Sequence, residues 1–113
     1  SGMCELQVLD NTAPQYADLD PRQYHGSVYG KTAAARGYLR AVGEWNYQVV
    51  RVQGTTIQVE LNGTPIVDTD VSTITEFMSP KFKADIPEDG HLGFAGHGAG
   101  VAFRHLRVAF IQP

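Results

Sequence analysis

A single cysteine, Cys4, in 113 residues has nothing to pair with, so neither an intramolecular disulfide nor a cysteine-based metal cluster can form. Positive charge is equally sparse: nine Lys and Arg, scattered rather than blocked, are outnumbered by twelve Asp and Glu, for a net charge of -3. Nucleic-acid binding rests on a basic stripe that displaces counterions from phosphate, so that class is excluded. Long apolar runs are missing too, and nothing approaches the roughly 20 residues needed for a membrane span. No serine or cysteine triad signature is recognisable, and no H-x-x-x-H spacing offers metal ligands on one helix face. What the chain does hold is 12 glycines and 6 prolines, which suits short strands and tight turns in one domain over residues 1–113. Ser1-Gly2 reads as a cloning remnant.

The clearest local signal runs from Gly43 to Val67, GEWNYQVVRVQGTTIQVELNGTPIV. Asn62-Gly63 marks a two-residue hairpin, because a type I′ turn needs positive φ at both central residues. This sets Leu61 opposite Thr64 and Val59 opposite Ile66. A second turn at Gly54-Thr55 sets Gln53 opposite Thr56, Val52 opposite Ile57 and Val50 opposite Val59. The apolar side chains of three strands then share one face, expected to be core. Counting back by twos from Val50, the polar residues Gln48, Asn46 and Glu44 keep the phase of that face. Polar groups there line a wet cavity or have buried partners, since desolvating them unpaired is costly.

Elsewhere, Cys4 to Asp10 alternates as a half-buried strand does, with Cys4, Leu6 and Val8 on one side and Glu5, Gln7 and Leu9 on the other. Asn11 to Gln23 reads as a long loop, Gly26 to Gly30 as a short strand, and Lys31 to Gly37 as a loop or weak helical turn. Asp68 to Pro87 is mixed, with Phe77, Phe82 and Ile86 expected to fold back as a cover. Leu92 to Phe94 reads as a short strand entering the turn AGHGAG, and Val101 to Ile111 as a long final strand. There Arg104 shares the phase of Leu106, Val108 and Phe110. A guanidinium on an apolar face requires a carboxylate, with Glu5, Asp10 and Glu44 as candidates. The whole is all-β, an antiparallel sandwich or barrel.

Four pieces, in order, carry a resemblance: ELQVLDN at 5–11, HGSVYG at 25–30, GEWN with a downstream LNG within 43–63, and GFAGHG followed by FRHLRV at 93–108. Together they resemble the 3-keto-disaccharide hydrolase family, long catalogued as a domain of unknown function in the concanavalin-like jelly-roll group. The resemblance implies an antiparallel jelly-roll-like β-sandwich of concanavalin/laminin-G type, a periplasmic or extracellular location, and a carbohydrate partner, an oxidised glycoside. Family domains are longer, with strands ahead of the ELQVLD strand. A sandwich without them leaves open edges, so association of two copies into a homo-oligomer that completes the core is expected. The chain departs from the family pattern at Ala95 and Gly96, where Gln and Asp are usual, and at His105, where Asn is.

Chemically, the resemblance implies glycoside cleavage by elimination. A ketone at C3 acidifies the C2 proton, a base removes it, an enediolate forms, the C1 substituent departs, and water adds back. That route needs a base, a donor or cation for the developing oxyanion and an acid for the leaving oxygen, but no covalent nucleophile. His97, in a glycine-rich turn and with an unperturbed pKa near 6.5, and Glu5 are the acid-base candidates. Gln7, His25, Tyr29, Glu44, Asn46 and Arg104 are the substrate-binding candidates. Each has a plainer alternative: a solvent-exposed turn for His97, the wet side of a sheet for Glu5 and Gln7, a structural tyrosine for Tyr29, an ion-pair partner for Arg104. Trp45 is expected to pack rather than to stack on sugar, and His91 and His105 read as surface residues. A divalent metal would polarise the ketone, and Glu5, His25 and His97 are the residues that could converge on one. With no ligand spacing in the sequence, no cofactor is established and a divalent metal stays open as the lesser reading. Ala95 and Gly96 favour a rival, a non-catalytic carbohydrate-binding module on the same fold, and a third reading is an interaction module in a larger assembly.

Overall fold

The structure, a computed structural model, describes residues 5–80 and 101–109. The Gly43 to Val67 region forms a three-stranded antiparallel sheet of β1 (Gln48–Gln53), β2 (Thr56–Leu61) and β3 (Thr64–Asp70), in that spatial order. Both turns adopt the backbone their residues favour. Asn62 and Gly63 take φ of 51° and 87°, and Gly54 takes 59°. Val50 lies opposite Val59, Val52 opposite Ile57, Gln53 opposite Thr56 and Leu61 opposite Thr64, as expected.

The expected pairing of Val59 with Ile66 is corrected. Val59 lies opposite Val67 while Glu60 lies opposite Pro65, so Ile66 is the extra residue of a β-bulge. Pro65 has no N–H to give to a ladder, and an edge strand with a bulge is where it fits. The bulge lets the consecutive residues Ile66 and Val67 both be buried, which strict alternation forbids.

Ile57, Val59, Leu61, Ile66, Val67 and Val71 join Val28 and Ala34 in one core, with Leu6, Leu39 and Ile74 packed at its margin. Each fully buried aliphatic side chain contributes on the order of 1.5–3 kcal/mol by leaving water. Covering the sheet are residues 5–9 and 25–29. Leu6 and Val28 form a single antiparallel bridge, flanked by Tyr29 N–H to the Glu5 carbonyl at 2.8 Å and Gln7 N–H to the Ser27 carbonyl at 3.0 Å. Leu6 turns inward as expected, but Val8, expected on the same side, is 41 % exposed, because no full strand forms there or over Gly26 to Gly30. Gly26, at φ 83°, sits so close to the sheet that a Cβ would collide with Ile66 Cδ1.

Two further expectations are corrected. Val50 and Val52 hold the phase of the core face yet are 40 % and 57 % exposed, because β1 is an edge strand that the covering layer does not reach. Residues 101–109 contain no strand and are exposed throughout; positive φ at His105, 54°, breaks the extended backbone that a ladder needs. Asn11 to Gln23 is a loop, as expected, with 3-10 turns at Pro14–Tyr16 and Pro21–Gln23. Phe77 is half-buried, whereas Phe82, Ile86 and the Leu92 to Phe94 segment lie outside the described residues. Among the described residues there is no α-helix, and no helix is long and apolar enough to cross a membrane.

Candidate functional site

Because Leu6 and Val28 face the core, their neighbours Glu5, Gln7 and Tyr29 stand on the opposite side of the same antiparallel pair. All three are half-buried, and Glu5 lies across from Tyr29. Gln23 donates from Nε2 to the Tyr29 hydroxyl at 3.0 Å, while its Oε1 accepts the Asp20 N–H at 3.0 Å. The tyrosine hydroxyl is thus held by a side chain that is itself held. Asp20 caps this turn and takes two hydrogen bonds from the Arg22 guanidinium at 2.8 and 2.9 Å, which bring its carboxyl down to about 2. Among the described residues no hydrogen bond or ion pair engages the Glu5 carboxylate. A half-buried carboxylate without an internal partner is available to take a proton.

His25 is placed differently. It is 8 % exposed, and both ring nitrogens are engaged. The Leu9 N–H donates to Nδ1 at 3.2 Å, which puts the ring proton on Nε2, and Nε2 donates to Gln48 Oε1 at 2.8 Å. The His25 N–H donates to Asn11 Oδ1 at 2.8 Å. One residue therefore ties the covering layer to the first residue of β1. Burial holds its pKa below the ordinary 6.5, against a smaller upward pull from the hydrogen bond to Gln48. The unfolded chain then binds the proton first on acidification, so the stabilisation is complete above about pH 6.5 and is lost as pH falls below it. The melting temperature should be flat above that pH and drop below it in a step that His25→Gln removes. The variant should keep only the decline below about pH 4, where Asp10, Asp20 and Asp70, all lowered by hydrogen bonds, become protonated. A wild-type melting temperature unchanged from pH 7 to pH 4 would contradict this assignment.

Glu44 and Asn46 are corrected as core-phase residues. β1 begins at Gln48, its alternation does not extend back to them, and both are exposed. Their work is to organise residues 38–47. The Ala41 N–H donates to Glu44 Oε2 at 3.1 Å and the Glu44 N–H to the Ala41 carbonyl at 3.0 Å, closing a turn in which Gly43 takes φ 92°. Asn46 Oδ1 accepts from the Arg40 N–H and from Asn62 Nδ2, both at 2.9 Å. Asn62 also donates to the Tyr38 carbonyl at 2.8 Å and accepts the Tyr47 N–H at 2.9 Å. The hairpin residue is thereby a loop anchor as well.

Arg104 was expected to face a carboxylate; its guanidinium instead stacks over the Trp45 ring, 3.9 Å from the centroid. A delocalised, weakly hydrated cation is satisfied by an aromatic face. Trp45, expected to pack, is 43 % exposed. Glu44, Asn46 and Arg104 therefore gather around one loop, and Glu5, Gln7 and Tyr29 sit on the covering pair. Gln48, two residues after Asn46, joins the two groups through His25. Its position in phase with Leu61 was the sequence signal for it, whereas Asn11 and Gln23 lie in an irregular loop whose spacing gives none.

His97, with Ala95 and Gly96, lies outside the described residues. Among the described residues no group of three or more His, Cys, Asp or Glu is placed to hold a metal. His25 does not fit as a ligand, because its one lone pair already accepts the Leu9 N–H.

Comparison with known proteins adds two findings. Residues 1–109 match the family model of a 3-keto-alpha-glucoside-1,2-lyase-like domain. A crystal structure of a protein from Parabacteroides distasonis ATCC 8503, provisionally assigned as a glycosyl hydrolase, is similar at TM-score 0.57 and 28 % identity, over 59 % of this chain and 34 % of that one. The chain thus spans about a third of that protein's length. No curated protein matches it.

Proposed function

The chain belongs to the 3-keto-alpha-glucoside-1,2-lyase-like domain family, and from that premise we propose that it cleaves 3-keto-glucosides by proton abstraction and elimination. The family match across residues 1–109 carries the reading. The half-buried carboxylate of Glu5, without a partner among the described residues, supports it.

Glu5 takes the proton from C2, and the C–H electron pair becomes the C2–C3 double bond of an enediolate with its charge on the C3 oxygen. Reformation of the C3 carbonyl moves that pair to C1–C2 and expels the C1 oxygen, which His97 protonates. Addition of water at C1, with a proton returned to C2, completes hydrolysis. Gln7 and Tyr29 flank Glu5 and bind the reacting sugar. His25, with both nitrogens committed to protein groups, positions the covering layer on β1. The same reading sets the site on a jelly-roll-like sandwich working outside the cytoplasm.

With an aryl 3-keto-glucoside, the wild type should release the phenol and His97→Ala should not. Binding without release by the wild type would support the second reading, a non-catalytic sugar-binding module, which Ala95 and Gly96 favour in place of the polar pair usual before this histidine.

A further inference from the structure

The loop at residues 38–47 leaves three aromatic side chains in water: Tyr38 and Trp45 at 43 % each and Tyr47 at 66 %. Such a loop has no secondary structure to stiffen it, yet it is held at several points. Asn62 binds the Tyr38 carbonyl, Asn46 and the Tyr47 N–H, and Arg40 donates from Nη1 to the Trp45 carbonyl at 2.9 Å. Trp45 is thus fixed twice, its backbone by Arg40 and its ring by Arg104. A pre-oriented aromatic side chain loses little freedom when a ligand covers it.

We propose that Trp45, oriented by Arg104, is a stacking platform for a neutral, non-reacting sugar ring of the substrate, outside the group around Glu5. The proposal rests on the glycoside reading above. A pyranose ring offers a C–H face to an indole and hydroxyls around its rim; Arg104 backs the indole and Asn46, the next residue, supplies an amide. A neutral ligand fits because Arg40 and Arg104, the two cations shown against Trp45, are already engaged by it. The platform also has a physical connection to the reacting group. Three residues along the chain, Gln48 accepts from His25, which holds the layer that carries Glu5.

Trp45 is the one tryptophan in the chain, so its fluorescence reports on this position alone. Titration of the wild type with maltose should give a saturable fluorescence change. With a 3-keto-disaccharide as substrate, Trp45→Ala should raise KM about two- to tenfold with kcat unchanged, and Trp45→Phe should recover part of the loss. With methyl 3-keto-glucoside, which lacks the second ring, KM should not move. Equal KM shifts for both substrates, or none, would overturn the platform and leave the catalytic reading intact. If the wild type turns over neither substrate the catalytic reading fails, and the maltose titration alone decides: a saturable change upholds the platform and a flat response overturns it. A stable oligomer that Trp45→Ala dissociates would also overturn it, giving the surface to a second copy of the chain.

Discussion

Gly26→Ala is expected to cost about 3 kcal/mol of folding stability, the sum of a backbone and a packing penalty. At φ 83° any side chain is in left-handed territory that L-residues avoid, and the added methyl meets Ile66 Cδ1. That terminal methyl could rotate away in a loose site, but Ile66 is 6 % exposed and belongs to the core. Gly26 also donates its N–H to the Gln7 carbonyl at 2.8 Å, so backbone relief there would disturb the pairing that sets Glu5 across from Tyr29. The two penalties separate experimentally. Gly43→Ala, at φ 92° with nothing within 4 Å of the new Cβ, should show the backbone share alone, about 1–2 kcal/mol. Adding Ile66→Val to Gly26→Ala should recover the packing share, visible as a coupling in a double-mutant cycle. Denaturant unfolding of the four proteins of the cycle and of Gly43→Ala is sufficient. Equal losses for Gly26→Ala and Gly43→Ala would mean that the covering layer does not approach the sheet as described.

Glu5→Gln should lower turnover of a 3-keto-glucoside by about 10²–10⁴-fold, the usual contribution of a positioned general base. Glutamine keeps the shape and removes the basicity. Because the Glu5 carboxylate has no internal partner among the described residues, the same change should leave the unfolding midpoint where it is. This pairing of a large kinetic effect with no stability effect distinguishes a base from a strand-surface residue. Were Glu5 simply on the wet side of a sheet, neither quantity would move.

The parts of the fold that short-range chemistry determines were legible in the sequence. Asn62-Gly63 and the glycine at 54 set both turns, and the turns set the first hairpin register. The second register failed at Pro65, where a missing N–H invites a bulge that a count of alternating residues does not foresee. Periodicity misled where it was carried past the end of its element. Glu44 and Asn46 share the phase of β1 but lie ahead of Gln48, where the chain is already a loop. Arg104 shows a different failure. Its expected carboxylate partner was inferred from charge alone, while the stack on Trp45 depends on two segments 59 residues apart meeting, which no local pattern encodes. At the candidate site, the alternation read Leu6 correctly toward the core but failed at Val8, which is 41 % exposed because the pairing does not continue as a strand. The locked tautomer of His25 could not be read, because its partners Leu9, Asn11 and Gln48 come together only in three dimensions.

The central claim is that the bond at C1 breaks only after the C2 proton has been removed. It is tested most directly by letting the wild type cleave a 3-keto-glucoside in D2O and examining C2 of the released sugar by NMR, early in the reaction and against an enzyme-free control. Elimination followed by addition of water predicts one solvent deuterium at C2 for each bond cleaved. Cleavage with the original C2 hydrogen retained would contradict it.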